Sequence, residues 1–186
     1  LMSEIYVIFG KRGSGKSNLT KVFMENIGGR IVYISMIEQL QYYDLEIYTY
    51  DDADKLKDLQ NGQIAVVKNF DHVMFSYIIS NLLLYKNFTL VLDEVNHWKD
   101  HYDLEKVIDY SRHHDITIIS NTRRYVDCSR KLTSEGKIYI FKTTEPRDKE
   151  YLYSTIGEKI NVEDLEDYQY YSVDDQQIYK SRLSIL

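Results

Sequence analysis

Ile5-Tyr6-Val7-Ile8-Phe9-Gly10-Lys11-Arg12-Gly13-Ser14-Gly15-Lys16-Ser17 is the stretch whose reading decides the fold. Its first five residues are apolar, β-branched or aromatic without alternation, the pattern of a strand buried on both faces of a parallel sheet. The next eight satisfy G-x-x-x-x-G-K-[ST] at every fixed position. Leu19, Val22, Phe23 and Ile27 then recur at helical spacing until Gly28-Gly29 stops them. A glycine-rich turn between a buried strand and a helix lets the backbone wrap an anion closely, its N–H groups turned inward. The helix N-terminus adds roughly half a positive charge facing the β-phosphate. Lys16 is placed to reach the β- and γ-phosphates, and the Ser17 hydroxyl to hold Mg²⁺. Gly10, Lys11, Arg12, Gly13, Ser14, Gly15, Lys16 and Ser17 therefore read as a site for the phosphates of ATP. Composition alone would produce the four fixed positions in about 1% of chains this long, and the required strand and helix lower that further.

Working outward, further strands are expected over Arg30–Ser35, Glu46–Thr49, Gln63–Val67, Phe88–Leu92, Ile116–Ile119 and Lys137–Phe141. Between them lie a short helix opened by Asp51-Asp52-Ala53-Asp54, a long apolar helix from an Asp71 cap to about Tyr85, and a helix over Asp103–His113. Pro146 occupies the first turn of another helix reaching about Ile156, with Thr144 or Glu145 as cap. Tyr168–Ser172 and Ile178–Ser181 read as a terminal hairpin. Strands alternating with helices at this rhythm predict an α/β fold with a mainly parallel central sheet flanked by helices. No repeat or linker divides the chain, so residues 1–186 are expected to form one domain.

The 186 residues include one cysteine, Cys128, which excludes an internal disulfide framework and favours a reducing compartment. The longest nearly apolar run, Val73 to Tyr85, is 13 residues, against the about 20 of a spanning helix, and no secretory signal is visible. These features predict a soluble intracellular protein without a membrane span. Acids outnumber bases 29 to 23, a net charge of −6, which argues against a basic coat for nucleic acid but leaves room for a local patch. Arg123, Arg124, Arg130 and Lys131 cluster against Asp127 alone. Seven acids (Glu158, Glu163, Asp164, Glu166, Asp167, Asp174, Asp175) stand against Lys159 in the segment from 158 to 175.

Phe88-Thr89-Leu90-Val91-Leu92-Asp93-Glu94 delivers two adjacent carboxylates at the C-terminal end of an apolar strand, the end at which open α/β sheets bind ligands. Asp93 is positioned to hold Mg²⁺ through water opposite Ser17, and Glu94 to act as general base on the attacking water. An Asp-Glu pair at a turn is common by composition; the intact phosphate loop upstream gives it its meaning. No Asp-x-x-Gly follows this strand and no Asn-Lys-x-Asp comes later, as a GTPase requires. A small-molecule kinase has no need of the second carboxylate, because its acceptor is a substrate hydroxyl.

Tyr110 to Arg124 runs from a helix end through a strand into a polar, basic segment. Taken alone, Arg112 reads as a helix C-terminal arginine on the macrodipole, and His113 and His114 as surface side chains. Together with the motifs above, these residues carry a resemblance. The chain resembles the HerA–FtsK group of DNA-pumping P-loop ATPases, most closely the small genome-packaging ATPases of archaeal and bacterial viruses. The loop Gly10–Ser17, the strand Leu90–Glu94, the step Arg112-His113-His114-Asp115-Ile116 and Thr122-Arg123-Arg124 match in order. Ile138–Phe141 followed by Thr144-Glu145-Pro146, and a terminal hairpin, are similar as well; Met36 to Phe70 is the stretch least matched.

The resemblance implies a RecA/ASCE-like P-loop NTPase fold and a homo-oligomeric ring, hexamer or pentamer, that threads double-stranded DNA on ATP hydrolysis. It implies a capsid or portal protein as partner, and a place in the host cytoplasm with a transient one at the virion vertex. Arg112 would be the finger reaching a neighbour's nucleotide, and Thr122 and Arg123 the polar sensor pair. The group usually has Gln where Arg123 stands, so Arg123 is equally suited to touch DNA or to serve as the finger, and Arg130 is a further finger candidate. Arg123, Arg124, Arg130 and Lys131, interleaved with Tyr125, are the candidate DNA contacts, with Lys11 and Arg12 a second possibility; a solvated loop explains the cluster as well. Two enzymatic alternatives stand beside this reading: a P-loop small-molecule or nucleotide kinase with Arg123, Arg124 and Arg130 as a lid, and an ATPase for virion morphogenesis or secretion. A non-enzymatic nucleotide-gated switch is a third.

Overall fold

Each expected strand forms. β1 (Ile5–Phe9), β2 (Arg30–Ile34), β3 (Leu45–Ile47), β4 (Ile64–Val67), β5 (Phe88–Leu92), β6 (Ile116–Thr122) and β7 (Lys137–Phe141) are followed by the hairpin β8 (Gln169–Asp174) and β9 (Gln177–Arg182). The computed structural model describes residues 3–37, 40–157, 160–175 and 177–184. Glu158 and Lys159 of the acidic segment and Gln176 of the expected hairpin turn lie outside the described residues. Among the described residues the strands make one nine-stranded sheet in the order β3-β4-β2-β5-β6-β1-β7-β8-β9. Every pairing from β3 to β7 is parallel, and only β7–β8 and β8–β9 are antiparallel.

The unbroken apolar runs follow from two covered faces. Val7, Val32, Leu90 and Ile118 face one layer, where Met74, Phe75, Ile78 and Leu82 of α3 (His72–Tyr85) and Leu104, Val107 and Ile108 of α4 (Tyr102–Tyr110) join them. Ile8, Tyr33, Val91 and Ile119 face the other, under Leu19 and Met24 of α1 (Lys16–Ile27). Both faces of β5 are therefore buried along its whole length. The short α2 (Tyr50–Asp54) starts on a reciprocal cap between Thr49 and Asp52, and α3 on Asp71, whose carboxylate accepts from the Val73 N–H. No helix among the described residues is long and apolar enough to cross a membrane.

Three expectations need correction. β6 continues past Ile119 to Thr122, because β1 goes on pairing beside it, Val7 with Ser120, Ile8 with Asn121 and Phe9 with Thr122. The helix expected to reach His113 ends at Tyr110, and Arg112–His114 form a 3-10 turn closed by Asp115 at φ 52°. The basic stretch is not one loop: it holds a 3-10 turn at Tyr125–Asp127 and a short helix, α5 (Arg130–Glu135). Helix α6 (Pro146–Ile156) starts as expected, with Glu145 at its N-cap position.

Candidate nucleotide site

The site is built where parallel strands end together. β1 runs into Gly10, whose φ of 150° and close packing exclude a side chain: a Cβ there would lie 2.6 Å from the Phe141 Cβ and 2.8 Å from the Ser14 Oγ. Gly15, at φ 115°, opens α1 with a ring carbon of Phe141 and one of Tyr168 each 3.0 Å from where its Cβ would be. Two backbone hydrogen bonds pin the loop from outside, Lys11 N–H to the Lys142 carbonyl at 2.9 Å and Tyr168 N–H to the Ser14 carbonyl at 3.0 Å. Lys16 is buried and donates from Nζ to the Lys11 carbonyl at 3.0 Å, closing the loop on itself. Burial lowers its pKa; Glu94 and Asp93 act against that, and Arg123 adds to it. The Ser14 Oγ is buried without a hydrogen-bond partner among the described residues. A hydroxyl held dry and unmatched in a loop that also carries a buried ammonium group fits an anion that supplies acceptors.

Asp93 and Glu94 stand at the end of β5. Asp93 is buried, accepts at Oδ2 from the Ser35 hydroxyl at 2.6 Å and donates its N–H to the Ile34 carbonyl at 2.9 Å. Burial first, and Asp93 next, push the Tyr33 hydroxyl upward. Glu94 has left-handed backbone angles, φ 56° and ψ 57°, a conformation unusual outside glycine and asparagine. Its N–H donates to Asn121 Oδ1 at 3.1 Å; Asn121 Nδ2 donates to Thr20 Oγ1 at 3.2 Å, and Thr20 Oγ1 donates to the Lys16 carbonyl at 3.0 Å. This chain of bonds ties the backbone of Glu94 to the first turn of α1. The Glu94 carboxylate accepts at Oε1 from Arg123 Nε at 3.1 Å.

The sheet thus brings Lys16, Ser17, Asp93, Glu94, Thr122 and Arg123 to one end, with Thr122 buried beside Phe9. It does not bring Arg112 there. Arg112 is exposed before the start of β6, roughly 20 Å of strand away. It lines a cavity of about 1050 Å³ with Glu4, Asp115, Lys137 and Asp174, and has no ion pair among the described residues. Three of the four clustered cations have acidic partners in the same chain: Arg123 has Glu94; Arg124 lies 3.5 Å from Asp148 and 3.7 Å from Glu145; Lys131 lies 2.5 Å from Asp109. Arg130 is exposed at the start of α5, beside Cys128 and Tyr151. Lys11 and Arg12 are exposed on the phosphate loop.

Sequence reasoning passed over Ser35, Thr20, Asn121 and Tyr168. Ser35 and Asn121 carry a faint signal, a polar side chain at the C-terminal end of an apolar strand. Thr20 and Tyr168 carry none, since their roles come from pairing with distant residues.

No protein-family model matches the sequence, and no curated protein does. Solved structures do. The genome packaging NTPase B204 of Sulfolobus turreted icosahedral virus 2, in complex with AMPPCP, superposes with a TM-score of 0.80 at 18% identity over 98% of each chain. B204 of Sulfolobus turreted icosahedral virus, described as a DNA-packaging ATPase, gives 0.78 at 20% identity over 98% of each. The bacterial conjugative coupling protein TrwB gives 0.64 at 10% identity over 98% of this chain and 85% of that one. The chain shares the fold of these proteins, a mainly parallel sheet flanked by helices of the P-loop NTPase type.

Proposed function

We propose that the protein is an ATP-hydrolysing motor that translocates double-stranded DNA, packaging a viral genome as a homo-oligomeric ring of five or six subunits. The observation that carries the chemistry is the placement of Glu94, fixed through Asn121 and Thr20 to the helix that opens on Lys16. The DNA half of the reading is supported by likeness in fold to two B204 proteins, the DNA-packaging ATPase of Sulfolobus turreted icosahedral virus and the genome packaging NTPase of Sulfolobus turreted icosahedral virus 2, the latter also solved with ATPγS. A kinase reading gains nothing from this site, whose second carboxylate suits the activation of water.

In this reading the N–H groups of Gly15, Lys16 and Ser17 at the open start of α1 receive the β-phosphate, and Lys16 exchanges the Lys11 carbonyl for phosphate oxygens. The Ser17 hydroxyl and, through water, Asp93 would hold Mg²⁺, which would supply charge neutralisation on the phosphates. Ser35 keeps the Asp93 carboxylate aimed by donating to it. Glu94 takes a proton from the attacking water with the oxygen that Arg123 leaves open. Arg123, at the end of β6, then turns to the γ-phosphate as the cationic member of the sensor pair with Thr122. Arg112, remote from its own loop, completes the site of the next subunit. Arg130, with Arg123, Arg124 and Lys131 once their intrachain partners release them, grips DNA phosphates without reading bases. A capsid or portal protein is the natural partner of the acidic segment on the outer side, with the ring in the host cytoplasm and transiently at the virion vertex.

The test is the ATPase rate measured against added double-stranded DNA while protein concentration is varied, with Glu94→Gln as background. The expected result is stimulation by DNA, a rate per subunit that rises with concentration, and a Glu94→Gln protein that holds ATP without turning it over. A rate indifferent to both DNA and concentration overturns the motor, and retained turnover in Glu94→Gln overturns the general base.

A further inference from the structure

We propose that Tyr168 forms the platform on which the nucleobase of the bound nucleotide stacks, a base subsite that rests on the nucleotide reading above. The direction of the ligand follows from the sheet order. The γ-phosphate must face Asp93 and Glu94 on β5, which lies on the β6 side of β1. The phosphate chain then runs back across the loop, and the nucleoside leaves on the opposite side of β1, where β7 ends and β8 begins. Tyr168 is the residue that this side offers to the loop. Its N–H is bonded to the Ser14 carbonyl, and its ring edge lies 3.0 Å from the Cβ position of Gly15.

Tyr168 is held there against its own preference. Its φ of 66° is a left-handed value that bulky residues avoid, and two bonds fix it, its N–H to Ser14 and the Leu183 N–H to its carbonyl at 2.9 Å. The neighbouring rings serve one another: Phe141 packs on Tyr170 at 5.2 Å, and Tyr139 on Tyr170 at 6.0 Å. Among the described residues Tyr168 enters no such ring pair, its hydroxyl has no hydrogen-bond partner, and its side chain is only half-buried. An aromatic ring held beside a phosphate loop, outside the ring pairs that its neighbours form, is a platform for a flat ring. Stacking on it tolerates any base, so it adds affinity for a nucleoside triphosphate over bare triphosphate.

Direct binding of AMPPCP and of inorganic triphosphate to the whole chain tests this, compared with Tyr168→Ala, Tyr168→Phe and Tyr168→Trp. Tyr168→Ala is expected to weaken AMPPCP about tenfold and to leave triphosphate within about twofold, while Tyr168→Phe stays within about twofold for both. The emission of Tyr168→Trp is expected to change with AMPPCP and not with triphosphate, a readout that survives if Tyr168→Ala fails to fold. Unchanged AMPPCP affinity in Tyr168→Ala, or equal loss of both ligands, overturns the subsite. A parent protein that binds triphosphate but gains nothing from the nucleoside overturns it too. One that binds neither ligand overturns the nucleotide reading itself.

Discussion

The state of the Glu94 carboxylate turns on two contacts, the hydrogen bond that Oε1 accepts from Arg123 and the Asn96 amide 3.3 Å from Oε2. One oxygen of the carboxylate is occupied by a guanidinium, so the general-base role proposed for Glu94 requires it to work through the other or to wait until Arg123 swings away. The pair lies at the surface, with side chains 48% and 22% exposed, and an ion pair in that setting contributes little to stability. Removing Arg123 therefore separates function from folding. For Arg123→Ala we expect a folding free energy within about 0.5 kcal/mol of the parent. Turnover at saturating ATP should fall at least about tenfold, because a charge on the γ-phosphate is lost in the transition state. Thermal denaturation and steady-state kinetics on one preparation check both halves. Turnover that rises would mean that Arg123 restrains Glu94 and does nothing for the phosphate.

Among the elements, β6 joins the halves of the site, and it is where local pattern and structure part company. The strand reads as finished at Ile119 because Ser120, Asn121 and Thr122 are polar, yet all three are buried. Their polarity is consumed by particular partners: Ser120 Oγ donates to the Tyr6 carbonyl at 3.1 Å, and Asn121 bridges Glu94 and Thr20. Replacing Asn121 by Ala leaves the Glu94 N–H and the Thr20 hydroxyl short of a partner in a buried setting, an expected cost of about 1–3 kcal/mol. Urea unfolding with an unchanged m-value measures it; a cost below about 0.5 kcal/mol would mean that water replaces the bridge. The phosphate loop, the carboxylate pair and most strands are legible in the sequence because each is a local pattern of apolar runs, glycines and caps. Helix α5 is not, since Arg130-Lys131-Leu132-Thr133-Ser134-Glu135 is too short to show a period. Neither are the partners of Arg124 and Lys131, which come from α4 and α6 and neutralise a cluster that looks open in one dimension. The contact of Tyr168 with Gly15 spans most of the chain, and no window of sequence contains it.

At the scale of the whole molecule, the parallel sheet separates Arg112 from the phosphate loop, the two groups that the proposed mechanism brings together. Every strand from β3 to β7 points its C-terminal end at the phosphate loop, so a residue that precedes β6, as Arg112 does, is carried to the opposite end. No rotamer brings its guanidinium back across the sheet to its own Lys16. In the proposed mechanism a subunit acting alone would lack that cation, and a ring in which one subunit's far end abuts the next subunit's loop would supply it. Complementation between defective subunits tests this more sharply than loss of activity does. Lys16→Ala removes the phosphate lysine from its own site but leaves Arg112 for the neighbour; Arg112→Ala does the reverse. Each alone is expected to hydrolyse ATP at least about 10³-fold more slowly than the parent, the range seen for a missing arginine finger. Mixed in equal amounts, half of the subunits keep Lys16 and half of their neighbours keep Arg112, so random assembly restores about a quarter of the parental rate. Recovery of that order requires two subunits to share one site. A mixture no more active than its components would remove Arg112 from the neighbour's site and leave Arg130, also without an ion pair among the described residues, as the arginine to test in the same way.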